Sequence, residues 1–139
     1  MTTEEFTNML KAHNNIGQFL EDNANVFDEN AFSNYLNTLL DGHPMNITQL
    51  AIECGINVGY THDLFKNKKT NPTKEKVLRI AFGLQLTLEE TNRLLYLARR
   101  STLRAKVRRD SILIFCFEHK KSIDDANGLL LAYGEDSIG

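Results

Sequence analysis

Shifted by 35 residues, the stretch Lys74–Ala98 falls on Arg109–Tyr133. Leu78 then meets Leu113, Phe82 meets Phe117, Asn92 meets Asn127, and Leu94-Leu95 meet Leu129-Leu130. Val77 meets Ile112 and Leu88 meets Ile123. The cap signals keep the same register. Thr87 with Glu90 matches Ser122 with Asp125, a hydroxyl followed three residues later by an acid, as at helix starts. Apolar residues recur at helical spacing inside each copy, so each is expected to be a helix, a short turn and a helix. Two such units are fewer than a free-standing solenoid needs. The second hairpin is therefore expected to pack on the first and extend its core.

The rest of the chain has the same habit. Strand signals are nearly absent, since no alternating run of Val, Ile and Thr is bounded by turns. Only two prolines, Pro44 and Pro72, occur. The spacing predicts a weak amphipathic helix from Glu4 to Glu21, carrying Phe6, Met9, Leu10, Ile16 and Leu20 and interrupted around Asn14 and Asn15. A loop at Asn23-Ala24-Asn25 follows. A second helix is expected from about Glu29 to Leu40, with Phe32, Tyr35, Leu36, Leu39 and Leu40 on one face. Asp41-Gly42-His43-Pro44 ends it, because Gly terminates helices and Pro cannot continue them. Asn46 with Gln49 has the spacing of a capping box for a short helix, Ile47 to Cys54, stopped by Gly55. Asn57 caps the next helix, to about Phe65. Lys66-Asn67-Lys68-Lys69-Thr70-Asn71-Pro72 is a basic turn. Thr73 caps a helix through Leu84, and Thr87 another through Ala98. The expected fold class is all-α.

Charge is segregated along the chain. The total is −2, yet residues 1–45 sum to −6, residues 46–121 to +8 and residues 122–139 to −4. A basic middle in a nearly neutral chain suggests a surface for an anionic partner; solvated helix faces are the plainer alternative. The longest apolar run, Ile112 to Phe117, is far short of the roughly 20 residues a membrane helix needs, so no membrane partner is expected. The acidic start Met1-Thr2-Thr3-Glu4-Glu5-Phe6 has no apolar stretch behind it and reads as no secretory signal. Cys54 and Cys116 sit inside apolar patterns and read as reduced core residues, which fits a cytoplasmic protein.

The segment Asn46–Leu84 carries Leu50-Ala51, then Gly55-Ile56, Leu64, Pro72-Thr73, Val77-Leu78-Ala81 and Leu84. This pattern resembles the lambda-repressor and Cro type of helix-turn-helix protein, the XRE family. In that family Leu-Ala marks the second helix, Gly the tight turn and a Pro-Ser/Thr pair the cap of the fourth helix. The resemblance spans roughly residues 31–86. It implies a lambda-repressor-like helix-turn-helix bundle, with an N-terminal helix and a C-terminal helical hairpin as extensions. The expected divisions are an N-terminal helical segment 1–30, a helix-turn-helix domain 31–98 and the C-terminal hairpin 99–139.

The resemblance also implies a function. A small Ala51 lets two helices cross closely, and Gly55 sits where a positive φ is needed. The helix after the turn then enters the major groove of duplex DNA. The implied DNA-binding positions are Asn57, Val58, Gly59, Tyr60, His62 and Asp63. Lys66, Lys68 and Lys69 would grip phosphates, and Thr48 would lie at a helix N-terminus facing the same strand. The expected protein is a transcriptional regulator acting as a homodimer, because one short helix reads too few bases. The apolar residues Ile112, Ile114, Phe115 and Phe117 nominate the C-terminal hairpin for the dimer contact.

The sequence departs from the family at the reading positions. Members usually carry Gln, Arg, Ser or Asn at the start of that helix; Val58 and Gly59 offer no side-chain hydrogen bond, and Phe65 replaces a common Glu. Val58 can touch a thymine methyl and His62 can donate to guanine. The alternative is a protein-interaction module, an adaptor, antitoxin or anti-regulator on the same scaffold. A second basic cluster, Arg99, Arg100, Arg104, Lys106, Arg108 and Arg109, has three readings: it extends the DNA surface, recruits an acidic partner, or pairs with the acidic N-terminal segment. His13, His43, His62 and His119 share no metal spacing with each other or with the cysteines, and no phosphate-binding Gly-rich loop or nucleophile elbow occurs. No metal, no cofactor and no enzymatic activity are expected.

Overall fold

The computed structural model describes residues 1–23 and 29–139. Among the described residues there are nine α-helices and no strand. They are α1 (Thr3–Ala12), α2 (Ile16–Asp22), α3 (Ala31–Leu40), α4 (Ile47–Cys54), α5 (Val58–Phe65), α6 (Lys74–Gly83), α7 (Leu88–Leu97), α8 (Arg108–Glu118) and α9 (Ile123–Ala132). The expected all-α class holds. Ala24 and Asn25 of the expected loop lie outside the described residues; Asn23 closes α2.

The interruption expected around Asn14 and Asn15 is a complete break at His13-Asn14-Asn15, so the N-terminal segment is two helices. His13 takes an extended conformation, and the Asn15 side chain caps α2 by accepting from the Gln18 N–H. Asparagine competes for backbone hydrogen bonds in just this way, so it favours caps over helix interiors. Phe19 is the buried residue of this pair, with Phe6 at 5.2 Å and His13 at 5.6 Å between ring centroids.

The remaining helices share one core. Leu36, Leu50, Leu64, Val77, Leu78, Ile80, Leu94, Leu95, Leu113 and Leu130 are shielded from solvent completely or nearly so. Helix α3 packs on α5 and α7, and α4 on α5 and α6. The expected caps form. Asn46 with Gln49 and Thr87 with Glu90 make full capping boxes, and Thr73 and Ser122 accept from Lys76 and Asp125.

The 35-residue repeat is a repeat of structure. Helices α6–α7 and α8–α9 are two hairpins whose turns match to the hydrogen bond. The N–H of Leu86 donates to Ala81 and that of Lys121 to Cys116; Arg100 donates to Leu95 and Glu135 to Leu130. Left-handed backbone falls at matched places, Gln85 with Lys120 and Arg99 with Gly134. After each hairpin the chain is pinned by an asparagine. Asn92 accepts from the Leu103 N–H at 2.8 Å and Asn127 from the Ile138 N–H at 2.7 Å, and both apolar residues are buried.

The hairpins meet reciprocally. Lys74 reaches Asp110 at 3.6 Å, and Arg109 grips Glu75. Under the 35-residue shift these are one contact made twice. Helix α6 packs on α9 and α7 on α8 in the same crossed fashion. Phe117 lies buried in this contact, while Ile112 and Ile114 are half-buried. The apolar residues nominated for a dimer contact are thus mostly used inside the molecule, leaving Phe115 exposed.

Candidate nucleic-acid interface

Helices α4 and α5 are eight residues each, joined by the three-residue turn Gly55-Ile56-Asn57. Gly55 sits at φ 68°, ψ 31°, where a Cβ is disfavoured. Its N–H closes α4 on Ile52, and the Ile56 N–H returns to Ala51. Ala51 is fully buried, as a close helix crossing requires. Leu50, Cys54, Ile56, Thr61 and Leu64 fill the angle between the two helices and are all buried. Thr61 spends its hydroxyl on the Asn57 carbonyl at 2.8 Å. Arg79 locks the end of α4 from behind, donating to the Cys54 carbonyl at 3.1 Å.

One side of α5 is packed and the other open. Thr61, Leu64 and Phe65 are buried; Val58 and Gly59 at its N-terminal end are exposed; Tyr60, His62 and Asp63 are half-buried. The structure thus brings Val58, Gly59, Tyr60, His62 and Asp63 together on one short helix. Several have local duties. The Asn57 carboxamide oxygen caps α5 by accepting from the Tyr60 N–H at 2.9 Å. His62 Nε2 and Thr48 Oγ1 are 3.0 Å apart, joining α5 to the first turn of α4. The Asp63 carbonyl accepts from the Lys68 and Lys69 N–H groups, which folds the basic loop back on the helix end.

Lys66, Lys68 and Lys69 are exposed. Among the described residues none of the three joins an ion pair. Their backbone is fixed from several sides. Asn37 donates to the Phe65 carbonyl at 2.9 Å, and Asn67, at φ 61°, reaches Asn30. At the far end of the loop Arg100 donates to the Pro72 carbonyl at 2.9 Å and to that of Asn71 at 3.3 Å.

Two cations beside α5 are not apparent from sequence. Lys76 Nζ lies 4.1 Å from the centroid of the Tyr60 ring. Burial pushes the Tyr60 hydroxyl above its usual pKa, and the nearby positive charge of Arg100 pulls it partly back. Spacing along the chain carries no sign of either neighbour, because both come from elements beyond the basic loop. The acids carried by the two helices themselves are Asp63 on α5 and the exposed Glu53 on α4. No family model, no curated protein and no solved structure matches the chain.

Proposed function

We propose that α4 and α5 form the helix-turn-helix of a duplex-DNA-binding transcriptional regulator of the lambda-repressor and Cro kind. Helix α5 enters the major groove and the 66–69 loop rests on phosphates. The observation that carries the reading is the left-handed Gly55 between two eight-residue helices, with the outer end of α5 open and an uncompensated cationic loop behind it. Thr48 lies in the first turn of α4, whose positive end favours a phosphate of the same strand.

Recognition of this kind leans on phosphates more than on bases. Val58 supplies a methyl surface and Gly59 no side chain at all. Asn57 and His62 already hold partners within the protein. In this reading the chain acts in the cytoplasm as a homodimer, since eight residues of helix read few base pairs. Phe115, Leu131 and Tyr133, all exposed on the C-terminal hairpin, are among the apolar groups available to such a dimer.

Titration against random duplex DNA at several salt concentrations tests this. Three phosphate contacts give a slope of log affinity against log salt of about −2.7 per subunit. Changing Lys66, Lys68 and Lys69 to Ala flattens it by up to about 2.7 units. A second reading, a protein-interaction module, is favoured by the apolar Val58-Gly59 tip and the occupied Asn57 and His62 side chains. Absence of DNA binding at low salt decides for it.

A further inference from the structure

Six cations lie between residues 99 and 109, and the structure sorts them into two groups. Arg109 is held by Glu75, by two hydrogen bonds of 3.1 and 2.5 Å. Arg108 pairs with Glu135 at 3.4 Å and donates to the Tyr133 carbonyl. Arg100 clasps the carbonyls of Pro72 and Asn71. These three are occupied with holding the molecule together. Arg99, Arg104 and Lys106 are exposed, and among the described residues none of them joins an ion pair.

The segment that carries these three is fixed and well placed. Leu103 is buried and its N–H is held by Asn92. The Arg104 N–H donates to Asp110 at 3.1 Å, the carboxylate that Lys74 also reaches. Lys74 donates to Ser101 at 3.0 Å. Residues 99–106 are thus stitched along the N-terminal end of α6, where the 66–72 loop arrives. Arg100 touches that loop and sits near Tyr60 of α5, with Lys76 on the same ring. Arg100, which holds the carbonyls of Asn71 and Pro72, belongs to the same short segment as the free three, so that segment is tied to the end of the basic loop. The acids beside residues 99–106 are Glu75 and Asp110, both already paired, and Asp63 of α5 lies beside the 66–69 loop.

We propose that Arg99, Arg104 and Lys106 form a second surface for the sugar-phosphate backbone of duplex DNA, beyond the reach of α5 and independent of base sequence. This rests on the reading of α5 and the 66–69 loop as a DNA interface. Uncompensated cations held on fixed backbone release counterions from a polyanion without a further cost in backbone ordering. A reading helix with few base contacts leaves the phosphates to supply most of the affinity.

The test uses the full chain, a random 30-base-pair duplex and three variants whose folding is checked by melting. One carries Lys66→Ala, Lys68→Ala and Lys69→Ala. Another carries Arg99→Asn, Arg104→Ala and Lys106→Ala, with Asn because φ at Arg99 is 61°. The third, Lys120→Asn with Lys121→Gln, removes two exposed cations from the α8–α9 turn. Adding these three contacts to the three of the 66–69 loop deepens the expected wild-type slope from about −2.7 to about −5.4 per subunit, at about 0.9 per contact. Each triple variant flattens it by about 2.7, and the α8–α9 variant leaves it unchanged. A wild-type slope in the Arg99 triple variant overturns the second surface while leaving the α5 interface in place. Equal flattening per charge by the α8–α9 variant also overturns it, because net charge alone then explains the effect. No binding by the wild type at low salt overturns the underlying reading.

Discussion

Phe82 and Phe117 stack with ring centroids 4.3 Å apart and planes 23° from parallel. Each holds the same place in its own hairpin, 35 residues from the other. Both rings are nearly buried, so the pair closes the core between the hairpins. Phe117→Ala is expected to cost about 3–5 kcal/mol. Chemical denaturation measures it, and a loss below about 1 kcal/mol would mean that the second hairpin hardly packs on the first.

The reciprocal ion pairs make a prediction about acid. Burial alone would raise the Glu75 carboxyl, but the Arg109 guanidinium and the Gly139 N–H outweigh it and hold the group below the usual glutamate range. Its charged form is therefore favoured in the native state. The stabilisation is fully present above the unfolded value of about 4.3 and is lost as pH falls through the lower native value. Melting temperatures at pH 7 and pH 3 should differ less in Glu75→Gln than in the wild type. An equal difference would show that this carboxyl adds nothing to acid sensitivity.

Gly83 lies where α6 passes Cys54 of α4. A Cβ placed there runs into Cys54 Sγ and comes within 3.3 Å of Leu50 Cδ1. Gly83→Ala is expected to destabilise by about 1–3 kcal/mol through overpacking. Cys54→Ala in the same chain should recover part of that loss, because the main obstacle is then gone. A double-mutant cycle reads the coupling directly.

Both thiols should be inert in the folded protein. Burial, aided by Glu53 and opposed by Arg79, pushes Cys54 up to about 12, and burial also raises Cys116. The thiolate is the reactive species, so a thiol reagent at pH 8 should label neither residue in native buffer and both in denaturant. Fast labelling of either in native buffer would place that residue at the surface.

Leu50 is fully buried beneath the turn that aims α5. Leu50→Ala should lower stability by about 2–5 kcal/mol. Near-wild-type unfolding would show that α4 is not seated on this core.

Local signals are legible in the sequence. The Asn46–Gln49 and Thr87–Glu90 boxes, the Gly55 stop and the two hairpins all follow from side chains within a few residues of each other. The two sides of α5 do not follow from apolar spacing, since the polar Thr61 is buried and the apolar Val58 exposed. What escaped lies between distant segments. Nothing local says that Arg109 belongs to Glu75 while Arg99 is left free, or that Arg100 holds Pro72. The helix break at Asn14-Asn15 was visible as an interruption, but the cap that makes it complete needs the backbone geometry. The place of Lys76 over Tyr60 depends on how α6 crosses α5, which periodicity does not encode.

The crossed contact between the hairpins joins equivalent surfaces within one polypeptide. When two separate identical molecules associate, every substitution arrives twice, at symmetry-related places. Here it arrives once, so the halves are free to specialise. Leu86 is buried in one turn, whereas its counterpart Lys121 stands in solvent.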